Sequence, residues 1–431
     1  MAADRMILGK NVVVSTDCNE TNLNNNKVVC GTSGCGKTMS VLEPQLLETN
    51  NDSLIIPISK RILFKKYRPL FIARGYDVEE TNFVTPMEST TSYDPLKYVH
   101  NYSDITYLAR SIVMADSRKE KSSSDPFWDQ AAVSLLSGMI AFAIMMKENA
   151  SFSDVLELLD KINITQDEND NLIHTNFDSY FNQLAEKDPS CFAVSCWRSF
   201  HELPIKTASC VFSTLNTTID TIFNPDIRKM MSLKTKIDFK KIASKRTVLF
   251  ITTSAVNPSF NFLINMFYSQ AFKELFEFAE GLPSGKLPIP VNILCDDFAV
   301  SGGKIQNFPE YISIIREKQI AVTILIQSES QLESIYGADD ATTIINNCDT
   351  YIYMGGMDLN TGKAISQRIN RPLEDVLYMP IGQVFIFRRG QKPIITTRYD
   401  IKDDKRYQNI TEEYEKQITD QERESDCPNS R

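Results

Sequence analysis

Residues 27–38 read KVVCGTSGCGKT, an apolar, β-branched run that passes directly into the pattern G-x-x-x-x-G-K-[ST]. The match is carried by Gly31, Thr32, Ser33, Gly34, Cys35, Gly36, Lys37 and Thr38. Its context is the one such a loop needs, a buried strand before it and a helical pattern ending near Thr49 after it. Glycines at these positions let the backbone turn tightly with its N–H groups pointing inward, and the helix that follows adds the positive end of its dipole. A loop of this kind cradles the phosphates of a nucleoside triphosphate, here expected to be ATP. Lys37 is expected to reach the β- and γ-phosphates, and the Thr38 hydroxyl to ligate Mg2+. A glycine-rich turn without a ligand is disfavoured by the flanking strand and helix.

Outward from the loop, short apolar runs bounded by turn residues recur at 53–58, 247–252, 291–295, 321–326, 350–354 and 383–387. Most are continuous rather than alternating, as strands buried on both faces of a parallel sheet are. Helical patterns, such as 262–278 and 308–317, separate them. The alternation reads as a doubly wound α/β fold. Between residues 103 and 205 the strand signal fades into helix-like segments joined by Ser-, Asp- and Asn-rich loops, so an all-helical domain inserted into the α/β core is expected there. The expected division is an α/β part over 1–102, the insertion over 103–205, the rest of the α/β domain over 206–402, and a flexible polar tail over 403–431.

A nucleotide-hydrolysing site also needs a carboxylate at a strand end to hold the Mg2+ shell and a group that orients or deprotonates water. The stretch VNILCDDFA supplies both, with Asp296 expected to serve the metal and Asp297 to act as general base. ILIQS places Gln327 at the end of the next strand, where an amide can sense the γ-phosphate. Acids that simply open a loop, and an amide that caps one, are the plainer alternatives.

With 431 residues, 42% hydrophobic and 23% charged, the chain reads as a soluble globular protein of two or three domains. Its opening, MAADRMILGK, lacks the basic and apolar regions of a signal peptide, and the most apolar stretch, 131–146, is short and carries Ser134, Ser137 and Gly138. A buried helix and a cytoplasmic location are expected. Nine cysteines without a CxxC pair, and three histidines (His100, His174, His201) without ligand spacing, argue against structural zinc. A net charge of −9 excludes indiscriminate nucleic-acid binding, so any DNA contact must be local. Lys60, Arg61, Lys65, Lys66 and Arg68 form one candidate stretch, and Lys234, Lys236, Lys240, Lys241, Lys245 and Arg246 another, each more simply read as solvated charge.

In order, these motifs resemble the TraG/TraD family of conjugative coupling proteins, ring-forming ATPases that bring DNA and relaxase to type IV secretion channels. The likeness extends to SSDPFWDQAAVSLLSGMIAF (residues 123–142), FNFLINMFYSQAFKELF (260–276), the long stretch 294–337 that begins LCDDFAVSGG, and NNCDTYIYMGGMD (346–358). The resemblance implies a RecA-like P-loop NTPase core with a mostly parallel sheet and an inserted all-α domain. It also implies ATP and Mg2+ as cofactors, a hexameric ring, and a relaxase–DNA complex and channel components as partners. In such rings a neighbour's arginine completes the nucleotide site, with Arg316 the first candidate and Arg368 the second. The family's N-terminal membrane-spanning segment has no counterpart, so docking at the inner face of the membrane would need a partner supplied in trans. Asp296-Asp297 stands where the family usually has Asp-Glu, and PISKRI (57–62) keeps only Lys60 of an Asp-Pro-Lys-Gly-Glu type sequence. These departures bear on the rate of hydrolysis rather than on nucleotide binding. Alternative readings are a slow nucleotide-binding adaptor that docks relaxase or secreted protein, and a double-stranded DNA pump of the same superfamily.

Overall fold

The apolar runs become strands in the computed structural model, which describes residues 4–114, 126–166, 173–254, 259–296, 298 and 304–425. In chain order the strands are β1 (Arg5–Gly9), β2 (Val12–Ser15), β3 (Lys27–Cys30), β4 (Ser53–Ile58), β5 (Asp77–Asn82), β6 (Ile164–Gln166) and β7 (Ile173–Thr175). They continue with β8 (Thr247–Thr252), β9 (Val291–Cys295), β10 (Ile320–Ile326), β11 (Thr350–Tyr353), β12 (Gln383–Arg388) and β13 (Ile394–Thr397). Nine of them form one sheet in the order β13-β12-β11-β3-β10-β9-β4-β8-β5. Every pair from β11 to β5 is parallel, and β12 and β13 close one edge antiparallel. β3, β4, β8 and β9 are buried along their whole length, which is why their sequences run apolar without alternation.

β5, DVEETN, carries no apolar run and was not expected as a strand. Pairing with β8 buries it, and its charges are met by partners from elsewhere in the fold. Glu80 takes a bidentate pair from Arg61 and a hydrogen bond from the Thr252 hydroxyl, while the Lys241 ammonium lies 2.6 Å from Glu79. The candidate basic stretches are thereby partly neutralised within the molecule. Lys66 is buried beside Glu43, Lys245 pairs with Asp77, and Lys236 pairs with Asp94.

The chain forms two compact units whose bounds differ from the sequence division. The first comprises Met1–Val84, Asp238–Val256 and Ala271–Arg431, and it contains the nine-stranded sheet. The second comprises Thr85–Ile237 and Asn257–Gln270, wider at both ends than 103–205. Buried aromatic packing sets that limit. Tyr93 stacks on Tyr98, meets Phe267 edge-on and donates to the Gln270 Oε1, so segments on both sides of the helical stretch belong to its core. Nor is this unit all-helical, since β6 and β7 form an antiparallel hairpin in it. That hairpin and the neighbouring helices gather His174 and His201 around Asp178, two histidines that sequence separation had set apart. Among the described residues no group of His, Cys, Asp or Glu is arranged to hold a metal ion. The described cysteines are all free thiols.

Helix Pro126–Met146 in the second unit contains, over Phe127–Met146, the one stretch among the described residues long and apolar enough to cross a membrane. Leu135, Leu136, Met139 and Ile140 are buried in the protein interior, as the core-helix reading expects. The polar tail expected from residue 403 is instead helical over Lys405–Ser425. Its early turns are held to the first unit. Tyr407 and Ile410 pack on the core, the Lys66 ammonium sits 3.4 Å from the Tyr407 ring centre, and Arg406 pairs with Glu48.

Lys27, at the amino end of β3, is the most consequential polar residue of the core. It is fully buried, bonded to the Gln45 amide oxygen, and has no ion pair among the described residues. Burial pushes its ammonium down from 10.5 to about 7. Between those values the unfolded chain carries a proton that the folded chain lacks, so the free energy of unfolding rises with pH across that window. Below it the burial penalty is constant and complete; above it the penalty is gone. Lys27→Met is expected to raise stability at pH 7 and to remove this part of the rise, read as urea midpoints at pH 7 and pH 9. A wild-type and variant difference that stays the same at both values would show that Lys27 is charged when folded.

Candidate nucleotide site

The loop Gly31–Thr38 lies at the carboxyl end of β3, between β10 and β11. Backbone hydrogen bonds tie it to both neighbours. The Gly31 N–H donates to the Ile326 carbonyl at 3.1 Å, and the Thr32 N–H to the Gly355 carbonyl at 3.1 Å. Gly34 and Gly36 adopt φ of +80° and +95°, a region that costs other residues strain. Among the described residues nothing stands within 4 Å of where a Cβ on Gly34 would lie, so the space beside that residue is open. A Cβ on Gly31 would lie 2.7 Å from the Cys35 Sγ and 3.0 Å from the Met354 Cβ, so close approach requires glycine there.

Lys37 is buried, and its Nζ donates to the carbonyls of Gly31 at 2.6 Å and Thr32 at 3.2 Å. The ammonium thus rests on the rim of the loop, where a phosphate oxygen can replace the carbonyls. Thr38 opens a π-helical turn, Thr38–Leu42, which runs on into helix Glu43–Glu48. Turns of that kind recur at functional positions. A deeper polar contact supports the helix, the Tyr67 hydroxyl donating to Glu43 at 2.7 Å.

Parallel pairing brings two further sequence candidates to the same edge. Gln327 follows β10, immediately beyond the carbonyl that receives the Gly31 N–H. Asp296 follows β9, the next strand over, and the Phe298 N–H bonded to the Leu325 carbonyl keeps that loop beside β10. Strand spacing sets β9 at about 10 Å from β3. An anionic oxygen shell and a divalent cation fit the chemistry of this donor set, with open space beside Gly34, a hydroxyl on Thr38 at the loop exit and a carboxylate on Asp296, which follows β9 at the same edge of the sheet. Asp297 lies outside the described residues.

The two arginine candidates are placed differently. Arg368 is engaged by Glu329 in a bidentate pair and lies 5.0 Å from the Tyr351 ring centre, an internal structural arrangement. Arg316 precedes β10, at the amino edge of the sheet, where its Nη2 donates to the Asn22 carbonyl at 3.2 Å. It lines an open cleft of about 770 Å³ together with Asp17, Asp52 and Lys318. The seven-residue span of β10 separates it from the loop, roughly 23 Å. Arg316 therefore cannot reach the loop of its own chain.

One residue at this edge carried no sequence signal. Arg398 follows β13, and its Nη1 donates to the Cys35 carbonyl at 3.0 Å. A lone arginine after a short exposed strand looks like solvated charge; only the register Gln383↔Thr397 puts it beside the loop.

A model of the family described as type IV secretory system conjugative DNA transfer matches residues 3–372. Among solved structures, the chain is similar to the bacterial conjugative coupling protein TrwBdeltaN70 in its unbound form. That match has 15% identity and a TM-score of 0.64, and covers 91% of this chain and 88% of that one. It is similar to the plasmid coupling protein TrwB in complex with ADP and Mg2+, at 15% identity and a TM-score of 0.63, over 87% and 86% of the two chains. VirB4 of Thermoanaerobacter pseudethanolicus is 11% identical with a TM-score of 0.55, over 93% of this chain and 98% of that one. At such identities the likeness is one of fold, a RecA-like α/β core. No curated protein matches the chain.

The loop geometry separates Gly31, which the motif fixes, from Gly34, which stands at one of its free positions. Gly31→Ala is expected to cost about 1–3 kcal/mol through crowding, and adding Cys35→Ala is expected to recover part of it, because Sγ is the nearest obstacle. Gly34→Ala is expected to cost about 1–2 kcal/mol from its backbone conformation alone, with no recovery from Cys35→Ala. Urea unfolding of the four variants checks this, and equal recovery in both backgrounds would refute it.

Proposed function

The chain belongs to the type IV secretory system conjugative DNA transfer family, and we propose that within it the protein is an ATPase that couples hydrolysis to recruitment or translocation of a relaxase–DNA substrate into the secretion channel. The observation that carries this reading is the convergence of the Lys37 loop, Gln327 and Asp296 on one edge of the sheet. Lys37 would leave its two carbonyl partners for the β- and γ-phosphates. Thr38 and Asp296 would hold Mg2+, which supplies charge neutralisation when bound. Gln327 would orient the attacking water, and Asp297, from its sequence position, would accept its proton.

Arg316 extends the reading to a ring. An arginine on the edge opposite its own loop is useful to nucleotide chemistry only if a neighbouring subunit presents a loop to it. In GTPases such an arginine is worth about 10³ to 10⁵ in rate. A homohexamer is the proposed working form. Ring closure would gather basic residues around a channel and let a chain of net charge −9 hold DNA locally. The proposed location is cytoplasmic, with attachment at the inner membrane face through a partner supplied in trans.

A second reading is favoured by Asp296-Asp297 and by Lys60 standing without neighbouring acids in PISKRI: a slow nucleotide-binding adaptor that docks relaxase or secreted protein. Turnover separates the two. Wild-type protein is expected to hydrolyse ATP with a specific activity that rises with protein concentration and with added DNA. Lys37→Ala and Arg316→Ala are each expected to abolish it, and their mixture to recover part of it, since one keeps the arginine and the other the loop. Co-assembled mixtures that stay inactive would remove Arg316 from the trans role. Turnover indifferent to DNA and to concentration would favour the adaptor.

A further inference from the structure

The proposed catalysis uses the β9 and β10 side of the loop and leaves the β11 to β13 side without a role. That side is also built. β12 is antiparallel to β11, so the residues leading into it reach the same edge as the loop, and β13, antiparallel again, ends there too. The segment Tyr378–Gly382 is anchored at two points. The sulfur of Met379 lies 3.5 Å from where a Cβ on Gly355 would stand, and Gly355 itself receives the Thr32 N–H. At the other end the Arg398 N–H donates to the Gly382 carbonyl at 2.7 Å, while its guanidinium donates to Cys35 within the loop. Arg398 thus ties the segment to the phosphate loop directly.

On either side of the Met379 anchor the segment holds apolar side chains out in solvent. Tyr378 is 82% exposed and Ile381 100%, with Met357, beyond Gly355, at 82%. A short, anchored loop that keeps an aromatic ring and aliphatic groups exposed beside a phosphate site needs an occupant with a flat apolar face. If the terminal phosphate is directed toward Gln327 and Asp296, the nucleoside leaves the loop on the opposite side, toward β11 to β13. We infer that Tyr378 and Ile381 form the platform for the purine base of the nucleotide held at Gly31–Thr38, with Arg398 as the positioning residue that locks the platform to the loop. The inference rests on the nucleotide-binding reading above. Stacking on a ring is tolerant of base identity, because every base presents a π-face. The platform therefore favours nucleotides over bare polyphosphate while discriminating little between adenine and guanine.

The test measures dissociation constants of ATP, GTP and inorganic tripolyphosphate, each with Mg2+, by calorimetry on the full chain. Tyr378→Ala is expected to weaken ATP and GTP alike, by about tenfold, and to leave tripolyphosphate unchanged. Tyr378→Phe is expected to restore both nucleotides, and Ile381→Ala to weaken both less than Tyr378→Ala does. The exposure of both side chains makes misfolding an unsuitable explanation for losses, and thermal melts of each variant check this. Unchanged nucleotide affinity in Tyr378→Ala would overturn the platform while leaving the nucleotide site intact. So would an equal loss of tripolyphosphate, or a change confined to self-association, which would make the segment a subunit contact. A wild-type chain that binds neither ATP nor tripolyphosphate would overturn the nucleotide-binding reading and the platform with it.

Discussion

Parallel strands end where their neighbours end, and that constraint, applied to β3 between β10 and β11, assembles the site. The Gly31 N–H reaches the end of β10 and the Thr32 N–H reaches the chain just past β11. With the loop pinned on both sides, residues hundreds of positions apart come to one edge. Gln327 and Asp296 arrive on one flank, and Gly355, Gly382 and Arg398 on the other. The antiparallel return of β12 and β13 makes the second flank possible, because it brings a strand entry and a strand exit back to the same edge.

A sheet this deeply buried must place its charges with care, and the protein does so in two ways. Some buried carboxylates are paired, as Glu80 is with Arg61 and Thr252, and Glu329 with Arg368. Removing either partner from such a pair leaves a costly charge in low dielectric. Lys27 is handled differently, held by an amide and driven toward its neutral form. In the site, Lys37 is held by two backbone carbonyls, partners that a phosphate oxygen can replace when a ligand arrives.

The two edges of the sheet have distinct chemistry. The carboxyl edge gathers the glycine-rich turn, Lys37 and the polar strand ends. The amino edge holds a cleft lined by both acidic and basic side chains, Arg316 among them. On the proposed reading, in which Arg316 serves the loop of a neighbouring copy, these opposite edges would be complementary halves of one site. This division also accounts for the acidic overall charge being compatible with phosphate chemistry, since the cations act at particular places rather than as a field.

How much of this was legible in the sequence follows from the range over which each signal acts. The loop at Gly31–Thr38 and the buried strands β3, β4, β8, β9 and β10 could be read directly, because glycine spacing and continuous apolar runs are local consequences of tight turns and two-sided burial. The RecA-like α/β class and the family follow from their order. β5 could not be read, because what makes DVEETN a strand is Arg61, Thr252 and Lys241 meeting its acids from elsewhere. The bounds of the second unit rest likewise on Tyr93 meeting Phe267 and Gln270, and the helix after residue 404 on Lys66 and Glu48 receiving its first turns. Arg398, Tyr378 and the separation of Arg316 from Arg368 were decided by tertiary structure alone. Register and partner choice distinguish a positioned arginine from a solvated one, and neither exists until distant strands have paired.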